Sequence, residues 1–559
     1  MNVSKESSRR RTFAIISHPD AGKTTITEKL LLYANAIHLA GTVKSRKSSR
    51  TTVSDWMKME QERGISISSS VLQFDYLGSR LNLLDTPGHA DFSEDTYRTL
   101  AAVDSAVMLV DHSKGIESRT LKLFEVCRMR NLPIITFMNK LDREGLDPLE
   151  LIDEISSTLN LKVCPINWPI GMGREFKGVV NIKTKEAILF EGDEGADKGS
   201  KILNAKKMPL DEAAEEIGAE LYERTCEELE LIEEAGDEYS HEKFLSGELS
   251  PIFWGSAMTN FGVEPLLNFL AENTASPSPR ETLEGSMVQP NDETFTGFIF
   301  KIQANMNPRH RDRIAFVRVV SGKFERGMDT LIGRNKEKLR LSKPHSFMAQ
   351  ERAIVEEAWP GDIIGLYDPG KLRIGDTIGE KKPIQYKGIP RFAPEHFVKV
   401  LLEDPLKRKA LDKGLQQLSH EGVIQLFNKP DVGTQDPYLG AVGILQFEVL
   451  KQRMQHEYNV NISYQTAPFT TARWVEGPDA VIEWFKARRE YTLVVDRNKN
   501  YVLLTESPWP LQYAHLLIHE PSQPSTLSPI LLFNHSFMHS VNLLLNQSRI
   551  YPIIQQLTC

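Results

Sequence analysis

Four cysteines in 559 residues are few, and Cys127, Cys164, Cys226 and Cys559 stand far apart. Such spacing builds neither a disulfide framework nor a zinc cluster, and it suits a reducing compartment. Basic charge is short as well: 67 Lys and Arg face 75 Asp and Glu, a net charge of −8. A chain that binds nucleic acid over its whole surface carries a basic excess, so DNA is not expected as a partner and any RNA contact must be local. No window offers the roughly 18 uninterrupted apolar residues of a membrane span, and the opening MNVSKESSRRRTF lacks the apolar core of a signal peptide. No membrane partner is therefore expected, and the expected location is the cytoplasm. The rest is ordinary globular composition, 40% hydrophobic and 25% charged, in a length that suits about three or four domains.

Along the first half, apolar runs at 12–16, 81–84, 106–110, 133–138 and 252–254 alternate with helical patterns, the first of them at 23–33. Runs of this kind bounded by turn residues indicate the buried parallel sheet of an α/β domain, here 1–275. Residues 211–248 break the pattern with 15 acidic and 2 basic residues, and read as part of an acidic helical insert at about 165–250, solvated or used for protein contacts. A Pro-rich linker covers 276–294. Strand-like runs at 296–302, 314–320 and 362–366 then predict an antiparallel β-barrel over 295–390. From 391 to 514 helices return: an amphipathic helix at 405–418, a strand at 440–447 and a helix at 448–458 predict an α+β domain. The fold class is thus multidomain: an α/β P-loop domain with a parallel sheet, a β-barrel and an α+β third domain.

Four motifs carry chemistry. The first apolar run leads into Ser17-His18-Pro19-Asp20-Ala21-Gly22-Lys23-Thr24-Thr25, where a helix begins. This is the phosphate-cradling G-x(4)-G-K-[ST] pattern with Ser17 in place of the first glycine. Loop N–H groups and the positive helix end face phosphates, Lys23 reaches the β and γ oxygens, and the Thr24 hydroxyl suits Mg²⁺. Next, Asp85-Thr86-Pro87-Gly88-His89 closes a strand with a carboxylate and a sharp turn. Asp85 suits Mg²⁺, and the Gly88 N–H can approach a γ-phosphate unhindered. The third motif is Asn139-Lys140-Leu141-Asp142. The Asp142 carboxylate can accept from guanine N1–H and the N2 amino group, a donor pair that adenine lacks, so the nucleotide is GTP or GDP. Last comes Gly255-Ser256-Ala257, whose backbone N–H groups can bind the guanine O6. The segment Arg63-Gly64-Ile65-Ser66-Ile67 lies between the first two motifs, after a Lys/Arg/Ser/Thr-rich loop at 41–63, and offers Ser66 as a second hydroxyl for Mg²⁺. Arg63 is a weak candidate for an arginine finger.

The DTPGH motif, the phosphate loop SHPDAGKT, RGISI, DFSEDTYRTL at 91–100 and FKIQANMNPRHRDR at 300–313 together resemble the bacterial peptide chain release factor 3 family of class II release factors. These are translational GTPases related to elongation factor G, and the resemblance covers about residues 9–513. It implies a GTP-binding domain, a barrel and a third domain like that of elongation factor G. It also implies a ribosome-dependent GTPase, a monomer, that ejects class I release factors from the ribosome after peptide release. His89 would position the attacking water, with Ile65 and Pro19 as an apolar gate. Six Lys/Arg against one Asp over 296–323, with Arg309, Arg311 and Arg313 alternating about a hairpin, are read as contacts to ribosomal RNA phosphates.

The resemblance stops near 515. The last 52 residues contain only Glu520 and Arg549 as charged residues, and six prolines, a composition that reads as a frameshifted tail or as a docking segment. Alternatives stay open: another translational GTPase such as an elongation factor G-like protein, a P-loop kinase or ATPase, or a GTP-binding protein impaired by its C-terminus.

Overall fold

The computed structural model describes residues 2–36, 60, 66–190, 205–304, 313–342, 344–348, 351–387, 389, 392–430, 433–507 and 531–533. Arg63, Ile65 and most of the 41–63 loop, Arg309, Arg311 and nearly all of the tail after 515 lie outside the described residues. The chain divides into two compact units: Met1–Ala90, Asp95–Lys301 and Ile314–Lys387 form one, and Asp91–Glu94, Ile302–Arg313 and Gly388–Cys559 the other.

In the first unit the strands run Ser70–Tyr76, Ser79–Asp85, Arg10–Ser17, Ser105–Asp111, Ile134–Asn139, Leu249–Trp254, Lys162–Pro165 across the sheet. All neighbours are parallel except the first pair, a hairpin. Every residue of Ser105–Asp111 and of Ile134–Asn139 is buried, because helices cover both faces of a parallel sheet. Phe13 and Ile15, two apart on one strand, join Leu30 of helix Lys23–Tyr33 and Leu267 of helix Val263–Asn273 in one core. Parallel strands place their C-terminal ends on a common edge, and Ser17, Asp85, Asp111, Asn139 and Trp254 all end there. Ligands of open α/β sheets bind at this edge.

The acidic insert is not only helical. Helices Leu210–Ile217, Ala219–Ala235 and His241–Leu245 accompany a four-stranded antiparallel sheet of Asn167–Ile170, Gly178–Asn181, Glu186–Phe190 and Ala205–Pro209. Strands of four or five residues are too short to show an alternating pattern. The insert is anchored by Trp168, whose indole N–H donates to Glu228 Oε2 (2.7 Å) and whose ring meets Trp254 edge-on at 5.4 Å. The linker is likewise structured: Arg280–Glu281 pairs with Met287–Val288, and the Arg280 guanidinium lies 3.5 Å over the Phe298 ring.

The next strands form a curled antiparallel half-barrel in the order Lys338–Arg340, Asp329–Ile332, Thr377–Gly379, Thr296–Ala304, Arg313–Ser321, Ile363–Tyr367, Pro344–Met348. It continues into the parallel sheet through the bridge Met348↔Leu72. Thr12 Oγ1 donates to the Gly361 carbonyl (2.8 Å), Gln73 Nε2 to that of Ile363 (2.9 Å), and Arg10 pairs with Asp362 (3.2 Å). The basic stretch needs correction: Lys301, Arg313 and Arg318 are buried. Arg318 donates to Gly361 O (2.7 Å) and pairs with Asp104. Arg313 meets His420 Nδ1 at 3.2 Å. None of the three is presented to solvent for RNA.

The second unit opens with a β-α-β-β-α-β run: His396–Leu402, Arg408–Glu421, Gln425–Lys429, Gly433–Ala441, Leu445–Tyr458, Ile462–Thr466. Leu411, Leu415 and Leu418 of the first helix meet Phe447, Leu450 and Met454 of the second in one core. The strand expected at 440–447 ends at Ala441. The Gln446 side-chain oxygen accepts the N–H groups of Val442 (2.8 Å) and Gly443 (3.0 Å), which turns the chain so that the helix starts at Leu445. Strands Thr492–Val495, Tyr501–Thr505 and Thr471–Glu476 extend the sheet, and Leu531–Phe533 pairs with its edge through Trp474↔Phe533.

Candidate active site

Ser17, buried, ends its strand, and the loop to Lys23 turns through two left-handed residues, Asp20 (φ 67°) and Gly22 (φ 99°). A Cβ on Gly22 would stand 2.4 Å from Asn139 Nδ2, so a side chain there is excluded by space as well as by backbone. His18 Nε2 faces Glu117 Oε1 at 3.3 Å. Lys23 begins the helix with Thr24 and Thr25 half-buried in its first turn. The Lys23 ammonium is buried and donates to Asp85 Oδ1 (2.6 Å) and Ser66 Oγ (3.2 Å). Thr27 Oγ1, one turn on, reaches the same Asp85 oxygen at 3.3 Å.

After Asp85 the Thr86 hydroxyl donates to the Ile15 carbonyl (2.7 Å), which ties the turn to the first strand. Thr96 Oγ1 donates to the Pro87 carbonyl (3.1 Å). A Cβ on Gly88 would lie 3.6 Å from Pro19 Cα, so the turn rests on the phosphate loop. His89 follows, half-buried, just before the 3₁₀ turn Ala90–Phe92.

In the other half of the site one uncharged side chain joins two loops. Asn139 Nδ2 donates to the Ala21 carbonyl (2.7 Å), and its Oδ1 accepts the Ala257 N–H (2.8 Å). One side chain thus links the phosphate loop to the Ser-Ala loop. Ser256 Oγ donates to Asp142 Oδ1 (2.6 Å), and the N–H of buried Leu141 to the Gly255 carbonyl (3.3 Å). Lys140, with φ 74°, turns its ammonium onto Asp111 Oδ2 (2.6 Å). Burial would raise the Asp111 carboxyl, but Lys140 and the Ser113 hydroxyl outweigh it and hold it below the usual carboxylate range.

Do these residues suit Mg²⁺, which the motif set implies? Ser66 Oγ and Asp85 Oδ1 already converge on one cationic nitrogen, that of Lys23, and Thr24 is the next residue. Hydroxyl and carboxylate oxygens are the hard donors this ion prefers. Among the described residues no three His, Cys, Asp or Glu side chains cluster, so an ion here would depend on those oxygens with phosphate and water. The donor set fits.

Comparison with known proteins places this geometry. Residues 8–276 match the family described as "Elongation factor Tu GTP binding domain", 294–381 "Elongation factor G domain 2", and 386–515 "Class II release factor RF3, C-terminal domain". A "Peptide chain release factor 3" from Symbiobacterium thermophilum is 53% identical over 511 residues, 90% of this chain and 95% of that protein. The chain belongs to the peptide chain release factor 3 family. One from Staphylococcus aureus strain JH9 is 50% identical over 509 residues, 91% of this chain and 96% of that one. A solved structure of a Thermus thermophilus protein shares the fold, with a TM-score of 0.66 at 23% identity over 88% of this chain and 72% of that one. As a member of the release factor 3 family the chain is a guanine-nucleotide-binding GTPase of translation termination.

Within that family frame, sequence reasoning missed Thr27, Thr96, Asp111 and Glu117. Thr27 is legible as the residue one helical turn after Lys23. Asp111 ends a fully buried strand, which marks it as the other strand-end residues are marked. Glu117 has no such mark, because its partner His18 is 99 positions away.

Proposed function

We propose that this chain is a Mg²⁺-dependent GTPase that the ribosome activates, and that it promotes dissociation of class I release factors after peptide release. The observation that carries the reading is the Ala21–Asn139–Ala257 bridge, which sets phosphate and base recognition in one frame within a chain of this family. Ser17 to Thr25 cradle the phosphates, with Lys23 on the β and γ oxygens. Thr24, Ser66 and Asp85 hold Mg²⁺, which supplies charge neutralisation around the transferred phosphoryl group. Asp142 accepts from guanine N1–H and the N2 amino group, and Ser256 and Ala257 offer N–H groups to O6. His89 orients the attacking water. The cation that meets Asp85 and Ser66 is a lysine, Lys23, and the remaining stimulation comes from the ribosome. The protein acts as a cytoplasmic monomer, with residues 1–275 as the GTPase domain, 295–390 as the barrel and 391–514 as the third domain.

The test is GTP hydrolysis by the purified chain, alone and with ribosomes, beside His89→Ala. Strong ribosomal stimulation that the substitution lowers by about 10²–10⁴-fold, with GDP binding retained, is expected. GTP outcompetes ATP for the site. Hydrolysis indifferent to ribosomes would overturn the reading and leave a GTP-binding protein with an impaired C-terminus.

A further inference from the structure

We infer that Lys301 is a positioning residue for hydrolysis: its buried ammonium clamps the segment behind Ser66 to the helix behind His89. The inference rests on the GTPase reading above. Lys301 projects from the barrel strand Thr296–Ala304 and is 4% exposed. Its Nζ donates to Ser68 Oγ and the Ser69 carbonyl, and stands 3.7 Å from Asp95 Oδ2. Asp95 Oδ2 in turn accepts the Ser69 N–H (2.7 Å) and hydroxyl (2.7 Å). Ser69 Oγ also lies 2.7 Å from Thr99 Oγ1.

Placement gives this cluster its meaning. Ser68 and Ser69 follow Ser66 after one residue, Ile67, and the Ile67 and Ser68 N–H groups are held by Glu60 Oε1 (2.9 and 3.1 Å). Asp95 and Thr99 are one turn apart on helix Ser93–Leu100, which starts four residues after His89. The clamp therefore spans the two segments that carry Ser66 and His89, and its cation comes from the barrel.

The chemistry suits lysine. An ammonium is a compact charge with three donors that can converge on acceptors around one nitrogen, whereas the flat fork of arginine cannot. Two oxygens of the Ser66 segment and one carboxylate of helix Ser93–Leu100 lie around it. Burial alone would raise the Asp95 carboxyl, but the Lys301 charge and the Ser69 hydrogen bonds outweigh it and hold it low. The carboxylate thus stays charged, and the clamp persists at neutral pH. The basic stretch at 296–323 thus contains, at Lys301, an internal fastening.

The experiment uses the full chain with ribosomes, and compares wild type with Lys301→Met, Lys301→Arg, Asp95→Asn and the Lys301→Met/Asp95→Asn pair. Lys301→Met is expected to lower ribosome-stimulated kcat at least tenfold, with KM for ribosomes and GDP affinity within twofold. Arginine does not restore the rate. The pair is no worse than the worse single variant, since both remove one clamp. A second readout needs no hydrolysis: the ratio of affinity for a non-hydrolysable GTP analogue over GDP falls at least fivefold in Lys301→Met. If wild type is not stimulated by ribosomes, the GTPase reading fails and this ratio alone decides the clamp. Should Lys301→Met not fold, Asp95→Asn and Ser69→Ala are read for the same pattern. An unchanged kcat with an unchanged ratio overturns the inference. So does a loss of GDP and analogue binding in equal proportion.

Discussion

In the guanine-reading half of the site, Asn139 spans from the Ala21 carbonyl to the Ala257 N–H through neutral hydrogen bonds. In the phosphate half, Lys23 and Asp85 hold one another as a buried ion pair at 2.6 Å. The two halves adjoin, yet they meet opposite demands. Base recognition needs acceptors at fixed positions, and a neutral bridge costs little to keep closed. Phosphate and Mg²⁺ bring charge of both signs, so charged groups must be stored in a form that can be exchanged. Lys23 and Asp85 satisfy one another here, and in the function we propose a phosphate takes the lysine and a cation the carboxylate. One half is a finished lock, the other a pair of charges awaiting substitution.

The largest effect expected from this difference is in the phosphate half. Lys23→Met leaves Asp85, 2% exposed, without its ammonium. Breaking a buried pair by removing one partner costs about 3–5 kcal/mol. The loss shows in denaturant unfolding without nucleotide, and adding Asp85→Asn recovers most of it. GTP binding is lost in both variants. If Lys23→Met unfolds at the wild-type denaturant concentration, the pair is not a store of charge and the comparison breaks.

A middle-sized effect belongs to the guanine-reading half and lies in specificity. Asp142→Asn keeps a partner for Ser256 Oγ but places an amide where guanine offers N–H groups. Donor against donor leaves buried groups unpaired at about 1–3 kcal/mol, so GTP binding weakens by roughly 10–10²-fold. Xanthine carries a carbonyl at C2, which an amide N–H can meet, so the xanthine nucleotide gains. Equilibrium titration with both nucleotides checks this, and the melting temperature of the nucleotide-free protein stays within a few degrees. A large loss of stability would show that this half also stores structural energy, contrary to the contrast drawn above.

These two halves were unequally legible. Phosphate-loop signals are local: helix Lys23–Tyr33 follows a buried strand, and the glycine and lysine sit within seven residues. The strand-end positions of Asp85 and Asn139 follow from apolar runs that stop at a polar residue. What could not be read is distance in sequence. The Asn139 bridge joins groups 118 positions apart on both sides, and no pattern announces which loops a side chain will tie. Charge misleads in the barrel: the basic stretch 296–323 reads as facing RNA, although Lys301, Arg313 and Arg318 within it are buried. The signal was present in Lys301, flanked by Phe300 and Ile302 in a strand buried on both faces. A lysine inside such a run must have internal partners. In the third domain the expected strand at 440–447 failed because Gln446 competes for backbone N–H groups, a side-chain effect that hydropathy does not carry.

The smallest effect is also the one that sharpens the contrast, because it concerns the charged pair that the guanine-reading half does contain. Asp111 and Lys140 are 2.6 Å apart at side-chain exposures of 4% and 18%. If that half is fixed by neutral bonds, this pair is a minor support, and Asp111→Asn costs about 1.5 kcal/mol, the lower end for a hydrogen bond to a charged group. The sign of the pH dependence follows from the lowered native pKa of Asp111. A carboxyl held below its unfolded value of about 3.9 contributes fully above that pH. Its contribution is lost as pH falls through the native value. The stability gap between wild type and Asp111→Asn should therefore be constant from pH 8 to 5 and close only below about pH 4. Urea unfolding at three pH values measures it. A gap that closes between pH 7 and 5 would point to a different titrating group. A gap above about 3 kcal/mol would make this half depend on a buried charge as the phosphate half does.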